Sequence, residues 1–345
     1  MRILLATDAW TPQVNGVVMT LRNTIRGVER AGHVVETIGP DRFHSIACPT
    51  YPEIRLALRP YGRVSDLVRR FVPNAVHIAT EGPIGLAARK FCLREQLPFT
   101  TAYHTRFPEY VHARIRMPVR VTYAWLRRFH GPAKAVMVAT RALQADLERR
   151  GFRNLVHWSR GVDTGLFRPG PPVAATWKRP VFMYVGRVAV EKNIEGFLAL
   201  DLPGTKVVVG DGPQREWLQR RFPAAVFTGA RLGEALAAHY RSADVLVFPS
   251  RTDTFGLVLL EAMASGTPVA AYPVTGPIDV VTHGQSGILD DDLRVAALAA
   301  LDLNRGSVRE QALRFSWERA TAQFLDSLHP VEPLNKSRAT CSELP

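Results

Sequence analysis

The chain has 345 residues, 46% of them apolar, and a formal net charge of +13. That length makes about two domains around a large core. Cys48, Cys92 and Cys341 have neither disulfide nor zinc spacing, and no apolar run approaches the ~20 residues of a membrane span, so a disulfide scaffold, a zinc module and a helical integral membrane protein are excluded.

A reducing cytoplasm is the expected compartment, and the short, soon-acidic N-terminus does not read as a signal peptide. The charge is lopsided. Residues 1–170 carry 26 Lys and Arg against 12 Asp and Glu, whereas residues 171–345 carry 18 against 19. An excess confined to one half calls for an anionic partner there, a membrane surface or a polyanion.

In chain order, residues 1–8 read as a buried strand, 17–31 as a helix closed by Gly32, and 33–38 as a second strand. This βαβ unit lacks the G-x-G-x-x-G fingerprint of a dinucleotide site, although Gly16 at the helix entrance would let a phosphate approach the backbone. Residues 41–72, with prolines at 49, 52 and 60, read as loop-rich and carry Arg55, Arg59, Arg63, Arg69 and Arg70. Strands at 74–79 and 99–103 flank a helix at 84–95. The second of them delivers His104 to its carboxyl end, where open α/β sheets bind ligands.

Residues 106–130 are basic and aromatic. Arg106, Arg114, Arg116, Arg120, Arg127 and Arg128 are interleaved with Phe107, Tyr110, Tyr123, Trp125 and Phe129, and 119–129 is predicted helical after Pro118. Arginine heads and aromatic rings suit an anionic bilayer, so Arg116, Arg120, Trp125, Arg127 and Arg128 are the expected membrane- and acceptor-facing residues. The competing reading is a domain-packing helix with a solvated basic face. A strand at 134–139, a helix at 143–150 and a strand at 155–158 follow, and the proline-rich stretch 167–172 marks a domain boundary.

A second βα series opens with a strand at 180–186. Arg187 and Lys192, five apart at its carboxyl end, form a cationic clamp for a diphosphate. A helix then runs to about residue 200. Next come a strand at 206–209, the sharp break Gly210-Asp211-Gly212-Pro213, a helix at 214–221 and a short strand at 226–227. The turn 229–231 bears Arg231, and a helix covers 232–242. The apolar strand 244–249 leads to Asp253 in a loop, then to Phe255-Gly256 and a helix with Leu257, Leu260, Glu261 and Ala264 at helical spacing. That helix entrance carries unpaired N–H groups and roughly +0.5 of an elementary charge, a ready anion site. After a strand at 269–272 and a helix at 292–303, residues 307–328 read as one final helix and 329–345 as a frayed tail.

Gly186-Arg187, Glu191-Lys192-Asn193, Gly210-Asp211-Gly212-Pro213, the run from Asp253 through Glu261 to Pro268, and Phe315-Ser316-Trp317 together resemble retaining glycosyltransferases of family four. The resemblance spans most of the chain. It implies an α/β protein of two facing Rossmann-like domains, the GT-B fold, with the active site in the interdomain cleft. Residues 1–170 would bind the acceptor and 171–306 the nucleotide-sugar, with a helix at 307–328 crossing back onto the first domain. The resemblance further implies Arg187 and Lys192 on the donor diphosphate, Glu261 on the ribose hydroxyls, and the N–H groups of Phe255, Gly256 and Leu257 on the phosphates. Gly16 would approach the diphosphate from the opposite domain and Arg231 would flank the base. His104 and Asp253, beside the donor sugar, are the implied catalytic residues. The family usually has Glu where Asp253 stands, one methylene longer, so charge is kept and reach is altered.

Sugar transfer from a nucleotide diphosphate builds negative charge on the leaving phosphate, which two cations and helix N–H groups stabilise. No Asp-x-Asp pair lies near these residues, so no metal and no cofactor is expected; the nucleotide-sugar is a substrate. The first reading is retaining transfer of a hexose or hexuronate, from a UDP-sugar in preference, to a membrane lipid, diacylglycerol first. The enzyme would be cytoplasmic and peripheral on the inner face of the cell membrane. The alternatives are a GDP-mannose-dependent α-mannosyltransferase or a transferase of polysaccharide synthesis, with a nucleotide-sugar epimerase more remote. A nucleic-acid-binding role would leave Arg187, Lys192 and Glu261 unexplained, and no nucleic-acid partner is expected.

Overall fold

The computed structural model describes residues 1–331 except 12, 14, 49–50 and 174–175, with backbone alone at 51–53 and 113–115. The first half runs β1 (Arg2–Ala6), α1 (Gly16–Arg30), β2 (Val34–Ile38), β3 (Ser45–Cys48), β4 (Tyr51–Ala57), α2 (Tyr61–Phe71) and β5 (Ala75–Ile78). It continues with α3 (Pro83–Arg94), β6 (Thr100–Tyr103), α4 (Phe107–Ile115), α5 (Val119–His130), β7 (Ala135–Val138), α6 (Arg141–Arg149) and β8 (Leu155–His157). Six of these strands form a parallel sheet in the order β2-β1-β5-β6-β7-β8. β5, β6 and β7 are buried along their whole length, as strands covered by helices on both faces must be.

The second half begins β9 (Val181–Val185), α7 (Ile194–Leu198), β10 (Thr205–Val209), α8 (Arg215–Arg221), β11 (Val226–Gly229), α9 (Gly233–Ser242) and β12 (Val245–Phe248). It ends with α10 (Leu257–Ala264), β13 (Val269–Ala271), α11 (Pro277–Val280), β14 (Gly287–Leu289), α12 (Leu293–Ala299), α13 (Arg305–Ala312) and α14 (Trp317–Asp326). Its parallel sheet has the order β11-β10-β9-β12-β13-β14. In both sheets the strand order reverses once, between β1 and β5 and between β9 and β12. Ligands of open α/β sheets bind outside the strand ends at such a point.

Three segments depart from the sequence reading. Residues 45–57 are an antiparallel hairpin with Ser45 opposite Ala57, and α2 follows it, where a loop-rich stretch was expected. The prolines mask a helical spacing: Val64 and Val68 are buried and Tyr61 and Phe71 pack on the same cluster. Pro49 lies outside the described residues. Residues 107–115 are helical, although only 119–129 was expected to be. Finally, 307–328 is two helices. Phe315 turns inward against the Phe255 ring, 6.2 Å between centroids, and its carbonyl accepts from the Val162 N–H at 3.2 Å. Ser316 Oγ then starts α14 afresh by accepting from the Arg319 N–H at 3.2 Å. α13 packs against α10, while α14 packs against α1 and accepts the Trp158 indole N–H at the Ala320 carbonyl, 3.1 Å. The tail beyond residue 331 lies outside the described residues.

Candidate active site

At the switch point of the second sheet, the loop after β9 is locked by backbone to the loop after β10. A Cβ on Gly210 would sit 1.8 Å from the Gly186 carbonyl oxygen, and one on Gly212 would sit 2.4 Å from that of Val188. Both residues also take positive φ, so only glycine lets the loop after β10 press on the loop that carries Arg187. The Val188 N–H donates to the Asp211 carbonyl at 2.8 Å, and the Tyr184 hydroxyl donates to the Arg187 carbonyl at 2.8 Å. Lys192 ends a 3₁₀ turn, and Asn193 Nδ2 ties that turn to the Pro249 carbonyl at 3.2 Å.

Lys192 Nζ donates to Asp253 Oδ1 at 2.5 Å. Burial disfavours the ammonium, but Asp253, with Tyr110 and Tyr184, outweighs burial and raises its pKa above the ordinary lysine value. The other oxygen, Asp253 Oδ2, is buried without a partner among the described residues. Arg187 lies 4.0 Å from Glu191 and is partly exposed. α10 starts from Gly256 in the left-handed region (φ 88°), with no capping side chain and no acidic residue in its first turn. The positive end of this helix is therefore uncompensated by its own residues. About one turn on, Glu261 accepts from the buried Tyr240 hydroxyl at 2.8 Å, and burial pushes its carboxyl up to about 7 despite that bond.

The first domain faces this array. Asn15 Oδ1 caps α1 by accepting from the N–H groups of Val17 and Val18, each at 3.0 Å. Gly16 then opens the helix opposite α10: a Cβ there would come within 3.9 Å of Leu257 Cδ1. His104, at the end of β6, accepts the Thr254 hydroxyl at its carbonyl, 2.7 Å, so the residue beside Asp253 is bonded to it across the cleft. Two more bonds cross between the halves. Arg106 Nη2 donates to Thr275 Oγ1 at 3.0 Å, and the Ala142 N–H donates to Asp279 Oδ1 at 3.0 Å.

The structure thus brings Gly16, His104, Lys192, Asp253 and Leu257 to one interdomain region, with Phe255, Gly256 and Glu261 on the adjoining helix and Arg187 on the neighbouring loop. Arg231 is not joined to them; it is exposed after β11 and bonds the carbonyl of its neighbour Ala230 at 3.1 Å. Two groups escaped the sequence reading. Tyr110 was counted among the membrane aromatics, yet it is half-buried and electrostatically coupled to Lys192 and Asp253. Arg160, just past β8, reaches His104. The strand-end rule that selected His104 applies to it equally.

The basic segment also sorts differently. Tyr123 and Phe129 are core residues, and Tyr123 donates to Glu109 at 2.7 Å. Arg106 is enclosed between Glu109 at 3.6 Å and Asp146 at 3.3 Å. Helical periodicity explains the correction, because positions 122, 123, 126 and 129 form the buried face of α5. Arg120, Val121, Trp125, Arg127 and Arg128 lie on its exposed side, and Phe107 of α4 and Arg116 and Met117 between the two helices are exposed as well. The Phe107 and Trp125 rings are 6.4 Å apart, and the Arg114 side chain lies outside the described residues. No helix among the described residues is long and apolar enough to cross a membrane.

Two parallel-sheet domains closed over a cationic loop, an open helix end and a cross-cleft histidine define a GT-B glycosyltransferase. Glycosyltransferase Family 4 matches residues 14–166, and Glycosyl transferases group 1 matches residues 179–301. The chain belongs to glycosyltransferase family four and is a hexosyltransferase that uses a nucleotide-sugar. It is 32% identical over 314 residues to a GDP-mannose-dependent alpha-mannosyltransferase of Mycobacterium tuberculosis, covering 84% of this chain and 83% of that one. The sulfoquinovosyl transferase SQD2 of Arabidopsis thaliana is 30% identical, covering 90% and 70%. An alpha-monoglucosyldiacylglycerol synthase of Streptococcus pneumoniae is 26% identical, covering 95% and 86%. Among solved structures, sucrose-phosphate synthase from Thermosynechococcus elongatus superposes with a TM-score of 0.73 at 23% identity, covering 94% and 97%. Anabaena HepE in complex with UDP and glucose gives 0.70 at 16%, covering 94% and 98%. At these identities the two structures speak to the fold.

Proposed function

We propose that this enzyme transfers a hexose, with retention of anomeric configuration and without a metal ion, to a membrane lipid at the inner face of the cell membrane, with diacylglycerol the first candidate. The observation that carries the lipid acceptor is the two-sidedness of α4 and α5. α4 carries Tyr110 toward Lys192 and Asp253 and exposes Phe107 beside Trp125. The apolar strip Phe107, Met117, Val121 and Trp125 is ringed by Arg116, Arg120 and Arg128, the composition of a surface that enters an anionic bilayer. Diacylglycerol is uncharged and stays in the bilayer, so the cleft must go to it.

In the cleft, Lys192, Arg187 and the entrance of α10 would receive the charge of the leaving diphosphate, and Glu261 would accept from the ribose hydroxyls. This cationic array supports a reaction that proceeds without metal, because it can take the leaving-group charge itself. For the donor, no residue favours the UDP-sugar expected first, and relatives named as GDP-mannose-dependent, at 28–32% identity, favour GDP-mannose. A UDP-linked hexose or hexuronate is the second reading, motivated by the glucosyl- and sulfoquinovosyl-transferring relatives.

The test offers GDP-mannose and a set of UDP-sugars to the enzyme on phosphatidylglycerol vesicles containing diacylglycerol, with and without EDTA, and reads lipid products by mass spectrometry. A glycosylated diacylglycerol made equally well in EDTA is expected. Turnover lost in EDTA and restored by Mg²⁺ would refute metal independence. Transfer to a soluble saccharide but to no lipid, or failure to float with these vesicles at low salt, would refute the lipid acceptor.

A further inference from the structure

Arg160 is a buried cation, 4% exposed, and among the described residues no carboxylate pairs with it. Its Nη1 donates to the carbonyls of Trp158 at 2.6 Å and Ser159 at 3.0 Å, and its guanidinium lies 4.3 Å over the Trp158 ring. Nη2 lies 3.3 Å from His104 Nδ1. A guanidinium has donors and no acceptor, so this contact is a hydrogen bond only if Nδ1 is bare. A neutral imidazole with a bare Nδ1 carries its proton on Nε2. That nitrogen is shielded from solvent and has no partner among the described residues, so its N–H would be a buried donor left for a ligand to satisfy.

We propose that Arg160 is a positioning residue that holds His104 as the Nε2–H tautomer and so aims a fixed hydrogen-bond donor at the sugar being transferred. The proposal rests on the reading of this cleft as the site of sugar transfer. In this tautomer His104 donates to a sugar oxygen and cannot remove a proton at Nε2. The groups around the ring agree. Arg160 beyond β8, His77 on β5 and His130 at the end of α5 face it, and among the described residues no carboxylate does; His130 itself pairs with Glu81 at 3.2 Å. Burial first, and then the Arg160 guanidinium, keep the His104 pKa well below the ordinary histidine value. Burial also lowers Arg160, to about 9, which leaves it charged at neutral pH.

The tautomer can be read directly by ¹⁵N NMR of histidine-labelled enzyme, with the His104 ring identified by its loss in His104→Gln. The wild-type ring is expected to carry its proton on Nε2 from about pH 8 to about pH 5.5, a range in which an ordinary histidine titrates. Arg160→Met removes every donor but keeps an apolar stem over Trp158. In this variant the ring is expected to lose its single tautomer, with the proton shared between Nδ1 and Nε2 while burial still holds the pKa low, and kcat should fall in proportion to the lost Nε2–H fraction. KM for GDP-mannose or the UDP-sugar, whichever the panel turns over, should hold, and Arg160→Lys should restore part of the wild-type profile. A wild-type proton on Nδ1 overturns the proposal whether or not any variant folds. An unchanged ring in folded Arg160→Met overturns it too. If the ring changes in Arg160→Met while kcat does not, the contact with Arg160 is upheld and His104 loses its role at the sugar.

Discussion

The two domains share an architecture and treat the same feature in opposite ways. Each sheet reverses its strand order once and sets a helix entrance beside that point, α3 in the first domain and α10 in the second. In the first domain Asp8 fills the entrance. Its Oδ1 accepts from the Ile84 N–H at 2.8 Å, and its Oδ2 accepts from the Gly85 N–H at 3.2 Å and the Thr80 hydroxyl at 2.9 Å. In the second domain α10 has no capping side chain, and the nearby carboxylate of Asp253 is held by Lys192 instead. A helix entrance attracts anions in either case. One is supplied with an anion by its own chain, and the other is left open, as the proposed diphosphate site requires.

The largest effect should come from weakening the open end. Lys192→Ala is expected to lower kcat by ~10²-fold or more, as for the loss of a charge-stabilising donor. It would also leave Asp253 part-buried without its cation. Saturating-donor kinetics on Lys192→Ala and Lys192→Arg, with melting temperatures alongside, separate the two consequences. A kcat within a few-fold of wild type would remove Lys192 from the reaction.

Unplugging the filled end should act on stability instead. Asp8→Ala leaves the buried Ile84 and Gly85 N–H groups unsatisfied, at a cost of about 1–3 kcal/mol. Denaturant titration checks this. Asp8 also has a pH signature. Burial raises its carboxyl from 3.8 to about 6, so the folded state binds more protons than the unfolded state between those values. Stability should therefore fall as pH rises from about 4 to about 6, and Asp8→Ala should flatten that slope.

A third contrast is proton-linked binding. With its carboxyl raised to about 7, Glu261 is protonated in a large share of empty enzyme at neutral pH. With Glu261 accepting from the ribose hydroxyls, as proposed, the nucleotide would select the ionised form. Affinity for GDP or UDP should fall toward tenfold per pH unit below about 7, with protons released on binding. Calorimetry in buffers of different ionisation enthalpy reads both effects. Glu261→Gln should bind weakly and independently of pH.

The second domain was the more legible half because its site is written in short motifs, although Lys192 meets Asp253 from 61 residues away. Gly210 and Gly212 act on Gly186 and Val188 through backbone, and glycine spacing survives in the sequence as a pattern. The first domain's features are tertiary. Arg106 meets Thr275 from 169 residues away, and Arg160 meets His104 from 56, so no window of sequence contains either pair. The 24 arginines of residues 1–170 look alike in composition, and only packing separates enclosed Arg106 and Arg160 from exposed Arg120 and Arg128. The break in the final helix was different, since Ser316 before Trp317 is an ordinary N-cap signal inside an otherwise helical spacing.

The smallest effect tests how the two halves are held together. Thr254 lies between Asp253 and Phe255, and its hydroxyl bond to the His104 carbonyl couples the loop of the open entrance to the opposite domain. Thr254→Val keeps the shape and removes one neutral hydrogen bond worth about 1 kcal/mol, which is about fivefold in the equilibrium between closed and open clefts. If catalysis needs the closed form, kcat should fall and KM for the donor should rise, each by no more than that factor. Affinity for the nucleoside diphosphate should stay near wild type, because the groups assigned to it belong to the second domain. Thr275→Val removes the Arg106 bond in the same way. Because both bonds close the same cleft, the double variant should lose about the product of the two single effects. If instead the double variant behaves like either single one, the two bonds act as one latch. If neither single variant moves kcat or KM, closure does not depend on these contacts, and the coupling of the entrance to His104 must come from the bound donor itself.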